Sequence, residues 1–187
     1  MGIHPPKNTE AKRPEYLQVS FENYVRQGTF HKAQITIYPT SDFEAVNHVA
    51  AGKIGALRSI PQERPAKVTG EVPFLPLFNA AQVIHAQFGY LAFKGGSGVR
   101  LITQVDQGLV PISNNELFYT FQGLTDDGNY YVAAILPVSY PEFPADGSEM
   151  PQGDWESYIS GVVQQLNAAD PSSFQPDLAA LDQMIAT

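Results

Sequence analysis

Leu117–Val138, LFYTFQGLTDDGNYYVAAILPV, is the stretch whose reading decides the fold. Two runs rich in aromatic and β-branched residues, Leu117–Leu124 and Tyr130–Val138, flank Thr125-Asp126-Asp127-Gly128-Asn129. Asp-Gly between such runs is a strong hairpin signal, because the turn needs residues that tolerate positive φ. If Leu124 pairs with Tyr130, then Leu117, Tyr119, Phe121, Tyr131, Ala133 and Ile135 share one face. Phe118, Thr120, Val132, Ala134 and Leu136 take the other. Neither face is polar, so the hairpin belongs inside a sheet covered on both sides.

Working outward, Val83–Phe93 reads as a strand with Ala86, Phe88, Tyr90 and Ala92 on one face and His85, Gln87, Leu91 and Phe93 on the other. Lys94-Gly95-Gly96-Ser97-Gly98 is expected to turn the chain, and Val99, Leu101, Thr103 and Val105 to return it. Nearer the start, Leu17, Val19 and Phe21 alternate with polar residues as in a half-buried strand. Arg26-Gln27-Gly28-Thr29 then leads to a second alternation at Ala33, Ile35 and Ile37.

Two amphipathic helices flank these strands. Ser41-Asp42-Phe43-Glu44 has the capping-box form, and Phe43, Val46, Ala50, Ile54 and Leu57 make one apolar stripe that Pro61 is expected to close. Asp154 can cap a helix carrying Trp155, Tyr158, Ile159, Val162, Val163 and Leu166, with Pro171 as its stop. A last short helix from Pro176 would carry Leu178, Leu181 and Ile185. Residues 61–79 form a Pro-rich extended loop between the halves. The order β-β-α-loop-β-β-β-β-α-α predicts an α+β fold, a largely antiparallel sheet with amphipathic helices packed on it. Residues 1–15 read as a flexible lead and 16–187 as one globular domain.

Composition removes several function classes. The 187 residues include no Cys, which excludes disulfides, thiolate zinc sites and cysteine nucleophiles. A net charge of −8 argues against nucleic acid, whose phosphates need clustered Lys and Arg. No apolar run reaches the roughly 18 residues of a membrane span. All 11 basic residues lie at or before Arg100, so residues 1–100 carry +4 and residues 101–187 carry −12. Such asymmetry signals a solvating surface, a cation site or a face for a basic partner.

The order of elements resembles the PsbP-type fold of photosystem II extrinsic proteins, over roughly residues 16–170. The stretches PFLPLFNAAQVIHAQ (73–87) and ELFYTFQGLTDDGNYYVAAILPVSYP (116–141) resemble uncharacterised bacterial proteins of exported or lipoprotein type. That resemblance implies an extracytoplasmic location and no particular activity. Low charge density with many Gln and aromatic residues points the same way. The chain opens without a basic stretch followed by an apolar core, so it reads either as cytoplasmic or as an exported, lipid-tethered protein without its leader.

No arrangement marks a catalytic residue. His85 and Gln87 share a strand face, the expected register brings Gln107 opposite, and Arg100 completes a candidate ligand-binding cluster. His85 reads first as a hydrogen-bonded structural histidine and only second as part of such a cluster. Gly95-Gly96-Ser97-Gly98 is neither a nucleophile elbow nor a P-loop. Asp126 and Asp127 occupy a hairpin tip with little power to shift a pKa. Glu142, Asp146, Glu149 and Asp154 fall in one Gly/Pro-rich stretch whose oxygens could hold Ca²⁺, although EF-hand spacing is absent. Tyr38, Tyr119, Tyr130, Tyr131 and Tyr140 are candidates to line a groove. The expected function is a non-enzymatic extracytoplasmic binding or accessory domain for a protein or small-molecule ligand. The competitors are a hydrolase with a dispersed site and a Ca²⁺-dependent interaction module.

Overall fold

In the computed structural model, which describes residues 14–26, 28–46, 48–65, 72–77, 79–151 and 153–187, twelve helices and strands follow one another. They are β1 (Leu17–Ser20), β2 (Gln34–Pro39), α1 (Thr40–Val46), α2 (His48–Glu63), β3 (Ala81–Gln82) and β4 (Ala86–Phe93). Then come β5 (Gly96–Thr103), β6 (Val105–Asp106), β7 (Phe118–Thr125), β8 (Tyr130–Pro137), α3 (Trp155–Ala168) and α4 (Leu178–Ala186), with a 3-10 turn at Pro171–Ser173. The lead over residues 1–13 lies outside the described residues, as do Gln27 in the first turn and part of the Pro-rich loop.

Six strands pair in the order β1-β2-β8-β7-β5-β4, each neighbour antiparallel, while β3 and β6 form a separate two-stranded ribbon. The fold is α+β, with helices on both faces of the sheet. Phe43, Ala50, Ile54 and Leu57 of α1 and α2 are buried against Val99, Leu101, Tyr131 and Ala133 on one face. Val162 and Leu166 of α3 and Leu178, Leu181 and Ile185 of α4 cover the other, over Ala86, Tyr119 and Phe121. Burying each large apolar side chain contributes about 1.5–3 kcal/mol.

The central hairpin forms with a register one residue away from expectation: Leu124 pairs with Tyr131. Side chains in the loop set this. Thr125 Oγ1 accepts the Tyr130 N–H at 3.1 Å, while Asp127 Oδ1 accepts the Thr125 hydroxyl at 2.6 Å and the Asn129 N–H at 3.0 Å. Thr125 and Tyr130 thereby close the loop, and Gly128 supplies the left-handed residue at φ +71°. A one-residue shift exchanges the faces of a whole strand. Tyr119 and Phe121 accordingly share their face with Ala134 and Leu136, and Tyr131 and Ala133 join the α2 side.

Gly96-Ser97-Gly98 is strand rather than turn, because β4 and β5 are joined tightly at Lys94-Gly95, with Phe93 paired to Gly96. The missing side chain is what lets β7 approach. A Cβ on Gly98 would stand 2.2 Å from the Gln122 carbonyl oxygen. The first helix also starts at Thr40, two residues before the Asp42 that a Ser41 cap would make its first. The Thr40 N–H donates to the Asn129 carbonyl at 2.9 Å and its hydroxyl to the Gly128 carbonyl at 2.7 Å, replacing the expected capping box. α2 runs through Pro61 to Glu63, and beyond the proline the Arg64 N–H still donates to the Ile60 carbonyl at 2.9 Å. Arg64, at φ +44°, ends it.

β1 was expected to be half-buried, yet all four of its residues are exposed. It is an edge strand, and α3 and α4 pack at the opposite edge, on β4.

Candidate binding groove

Gln87 and Arg100 meet, but as a brace. Gln87 sits at φ +52° in a bulge between the pairs Ala86–Ile102 and Gly89–Arg100. The extra residue resets the alternation of β4. Ala86 therefore faces α3 and α4 with Leu91 and Phe93, instead of sharing a face with Phe88 and Tyr90. Gln87 Nε2 donates to the carbonyls of Leu166 at 2.7 Å and Ala169 at 2.9 Å, satisfying the C-terminal end of α3. Arg100 donates to the Gln87 carbonyl and pairs with Asp182 at 3.2 Å, and Asp182 also accepts the Tyr119 hydroxyl at 2.8 Å. Burial, reinforced by the Asp182 charge and hydrogen bond, drives the Tyr119 hydroxyl far above its usual range.

His85 and Gln107 stand apart from this brace. His85 Nε2 bonds Gln82 Oε1, whereas Gln107 Nε2 donates to the Asn79 carbonyl at 2.8 Å. The expected register placed the turn at Lys94–Gly98; the tighter turn and the bulge move Gln107 beyond reach of His85.

The four acidic candidates for calcium also go separate ways. Glu142 accepts from Gln165, Asp146 from the Ser148 N–H at 3.1 Å, and Asp154 from the Ser157 N–H at 2.8 Å as the cap of α3; Glu149 is exposed. Hydrogen bonds to Ser148 and Ser157 hold the Asp146 and Asp154 carboxyls below their usual range. Among the described residues no three His, Asp or Glu side chains gather as a metal site. Asp127, expected to be unperturbed at its tip, is lowered by its bonds to Thr125 and Asn129. Of the five candidate groove tyrosines, Tyr38, Tyr119, Tyr131 and Tyr140 are core, and Tyr130 alone is exposed.

A groove does form elsewhere, around the β3–β6 ribbon. Gln104, fully buried, ties the chain on its far side into place. Its Oε1 accepts the Ser113 N–H at 3.1 Å, and its Nε2 donates to Asp106 at 2.7 Å and to the Pro111 carbonyl at 3.2 Å. The Tyr158 hydroxyl accepts the Ile112 N–H at 3.0 Å, fastening the same loop to α3. Between ribbon and helix lies a recess of about 590 Å³ walled by Ala81, Val83, Leu109, Trp155 and Ile159. Across Asp106-Gln107-Gly108, which border both, a second recess of about 390 Å³ is walled by Phe30, His31, Val105, Val110 and Glu116. Leu109 and Phe30 stand 61% and 69% exposed, one in each wall.

The groove is electrostatically one-sided. Asp106, Glu116 and Glu156 line it, and among the described residues no Lys or Arg does. The Glu116 carboxyl is raised above its usual range by desolvation first, then by the Asp106 charge and a hydrogen bond to Asp106. His31, packed edge-on to Phe118 at 4.5 Å, is lowered by burial to about 4 and is therefore neutral at pH 7. Apolar walls can take an aliphatic or aromatic group, and the carboxyl pair can take a cation.

Of the groove residues, the sequence singles out only Gln107 as a binding candidate, and there with His85, Gln87 and Arg100 as its neighbours. The available signal was the break at Gln107-Gly108, where β alternation ends but Leu109 and Val110 continue apolar. Comparison of the chain with family models, curated proteins and solved structures finds no match.

Proposed function

We propose that the protein is a non-enzymatic, extracytoplasmic binding or accessory domain whose ligand enters the groove between the β3–β6 ribbon and α3. The observation that carries this is the pair of adjoining recesses, with exposed Leu109 and Phe30 in walls fastened from behind by Gln104 and Tyr158. A pre-formed, mostly apolar concavity with a few polar groups is the usual form of a ligand site. The PsbP-type order of elements, the resemblance to exported and lipoprotein-type bacterial proteins, and the low charge density support the accessory role and the location. No helix among the described residues is long and apolar enough to cross a membrane; the resemblance to lipoprotein-type proteins is what favours a lipid tether. A leader ending in a lipid-acceptor cysteine in the natural gene tests that part.

Trp155, the chain's one tryptophan, reports on the groove directly. Nile red, a neutral apolar probe, is expected to perturb Trp155 emission saturably and to lose affinity in Leu109→Ser. No saturable signal, or binding indifferent to Leu109→Ser, overturns the groove as the site. Turnover of an ester, glycoside or phosphate substrate that Asp106→Asn abolishes would replace the binding reading with the hydrolase one.

A further inference from the structure

We infer that the occupant of the groove is an extended segment of a partner protein in which Lys or Arg alternates with apolar side chains. This rests on the groove being the binding site and names what it takes. Two recesses on either side of a Gln107-Gly108 saddle suit two anchors of one chain better than a single compact molecule. One recess is predominantly apolar, bounded by Val83, Leu109, Trp155 and Ile159. The saddle carries Asp106, and the second recess carries Glu116.

Desolvation first, and then the charge of Asp106 and a hydrogen bond to it, raise the Glu116 carboxyl, so the two carboxyls disfavour each other's charge. A ligand cation seated between them relieves that repulsion and gains charge-assisted hydrogen bonds, whereas a ligand carboxylate would add to it. Trp155 and Phe30 offer aromatic faces on which a cation or an aliphatic stem can also rest. With His31 neutral and no Lys or Arg among the described lining residues, no described cation competes for the carboxyls, although Gln104 Nε2 already donates to Asp106 Oδ2 at 2.7 Å. Glu156, which also lines the first recess, adds a third negative charge to the attraction for a basic segment.

The test titrates the full chain, read by Trp155 emission, with the capped hexapeptide GFKFKG and its counterparts GFEFEG and GSKSKG, and with butylamine. GFKFKG is expected to bind, with GFEFEG and GSKSKG each weaker by about tenfold or more. Asp106→Asn with Glu116→Gln should weaken GFKFKG by about tenfold while leaving GFEFEG no weaker. Should the double variant misfold by circular dichroism, each single substitution and the peptide comparison on the unaltered chain decide the matter.

If GFEFEG binds as tightly as GFKFKG, and Leu109→Ser weakens both, the groove stands and the cationic occupant is overturned. If GSKSKG matches GFKFKG and butylamine displaces it, the ligand is a small amine and the extended segment is overturned. If neither the peptides nor Nile red bind, the groove reading itself has failed.

Discussion

In the centre of the sheet, Gln122 has no exposure. Its Oε1 accepts the Leu75 N–H at 2.9 Å and the Tyr131 hydroxyl, and its Nε2 donates to Thr120 at 2.8 Å. Around the β3–β6 ribbon, by contrast, Glu116 is pushed toward its neutral form beside Asp106, and the buried Ser113 hydroxyl has no hydrogen-bond partner among the described residues. Leu109 and Phe30 remain open to solvent there. One region spends its polar groups on itself; the other leaves two carboxyls crowded together and apolar surface open to solvent. Buried polar networks stabilise most when complete, and the less complete one coincides with the proposed binding groove.

Breaking the complete network should have the largest effect. Gln122→Met removes the acceptor for Leu75 N–H and Tyr131 Oη, stranding buried donors, and is expected to cost about 3–5 kcal/mol in urea unfolding at pH 7. A loss below about 1 kcal/mol would show that the centre tolerates unsatisfied groups as the ribbon does.

Acid should reveal a second difference. His31 is lowered from 6.5 to about 4 by burial, so its neutral form is favoured in the folded chain. Its contribution is complete above pH 6.5 and is lost as pH falls through 6.5 toward 4, up to about 3 kcal/mol. Unfolding measured at pH 7.5 and 4.5 should show this loss, and a His31→Gln variant should show a shallower slope across that window.

The brace sits between the two regions in magnitude. Asp182→Asn keeps an acceptor for Tyr119 but removes the charge facing Arg100, and is expected to cost about 1–2 kcal/mol. The salt dependence of wild-type unfolding should diminish in this variant.

The smallest expected effect has the opposite sign. Because Glu116 is raised, its neutral form fits the fold better, an advantage complete below its unfolded value and lost as pH rises through the folded one. Glu116→Gln should therefore stabilise the chain slightly at pH 7 and not at pH 4. Solvent screening keeps the gain well under about 1 kcal/mol. A destabilisation at pH 7 would mean that the carboxyl pair serves the fold and would remove the contrast with the sheet centre.

Much of the fold was legible in local pattern. The 3.6-residue stripes gave α3 and α4 and the buried face of α1 and α2, because one-sided apolar spacing has few alternatives. The β7–β8 hairpin was equally legible, but its register was not. That depended on whether Thr125 and Tyr130 lay inside the turn or closed it, which their side-chain hydrogen bonds settled. Gly96-Ser97-Gly98 misled for a related reason: flexibility and close approach of a neighbouring strand both call for glycine.

The candidate site was less legible. Gln87 and Arg100 do meet, yet a bulge turns Gln87 onto the end of α3 and leaves His85 and Gln107 with other partners. Asp106, Glu116 and Trp155 lie far apart in sequence within the acidic half. Sequence by itself determined the number of strands in the main sheet, the helix faces, the sign of the charge beyond Arg100 and the absence of thiol chemistry. Tertiary structure alone decided which of those acids would be consumed in caps and braces and which would face open apolar walls. Period and propensity act over neighbouring residues, whereas a groove is made by backbone register and by contacts across dozens of residues of chain.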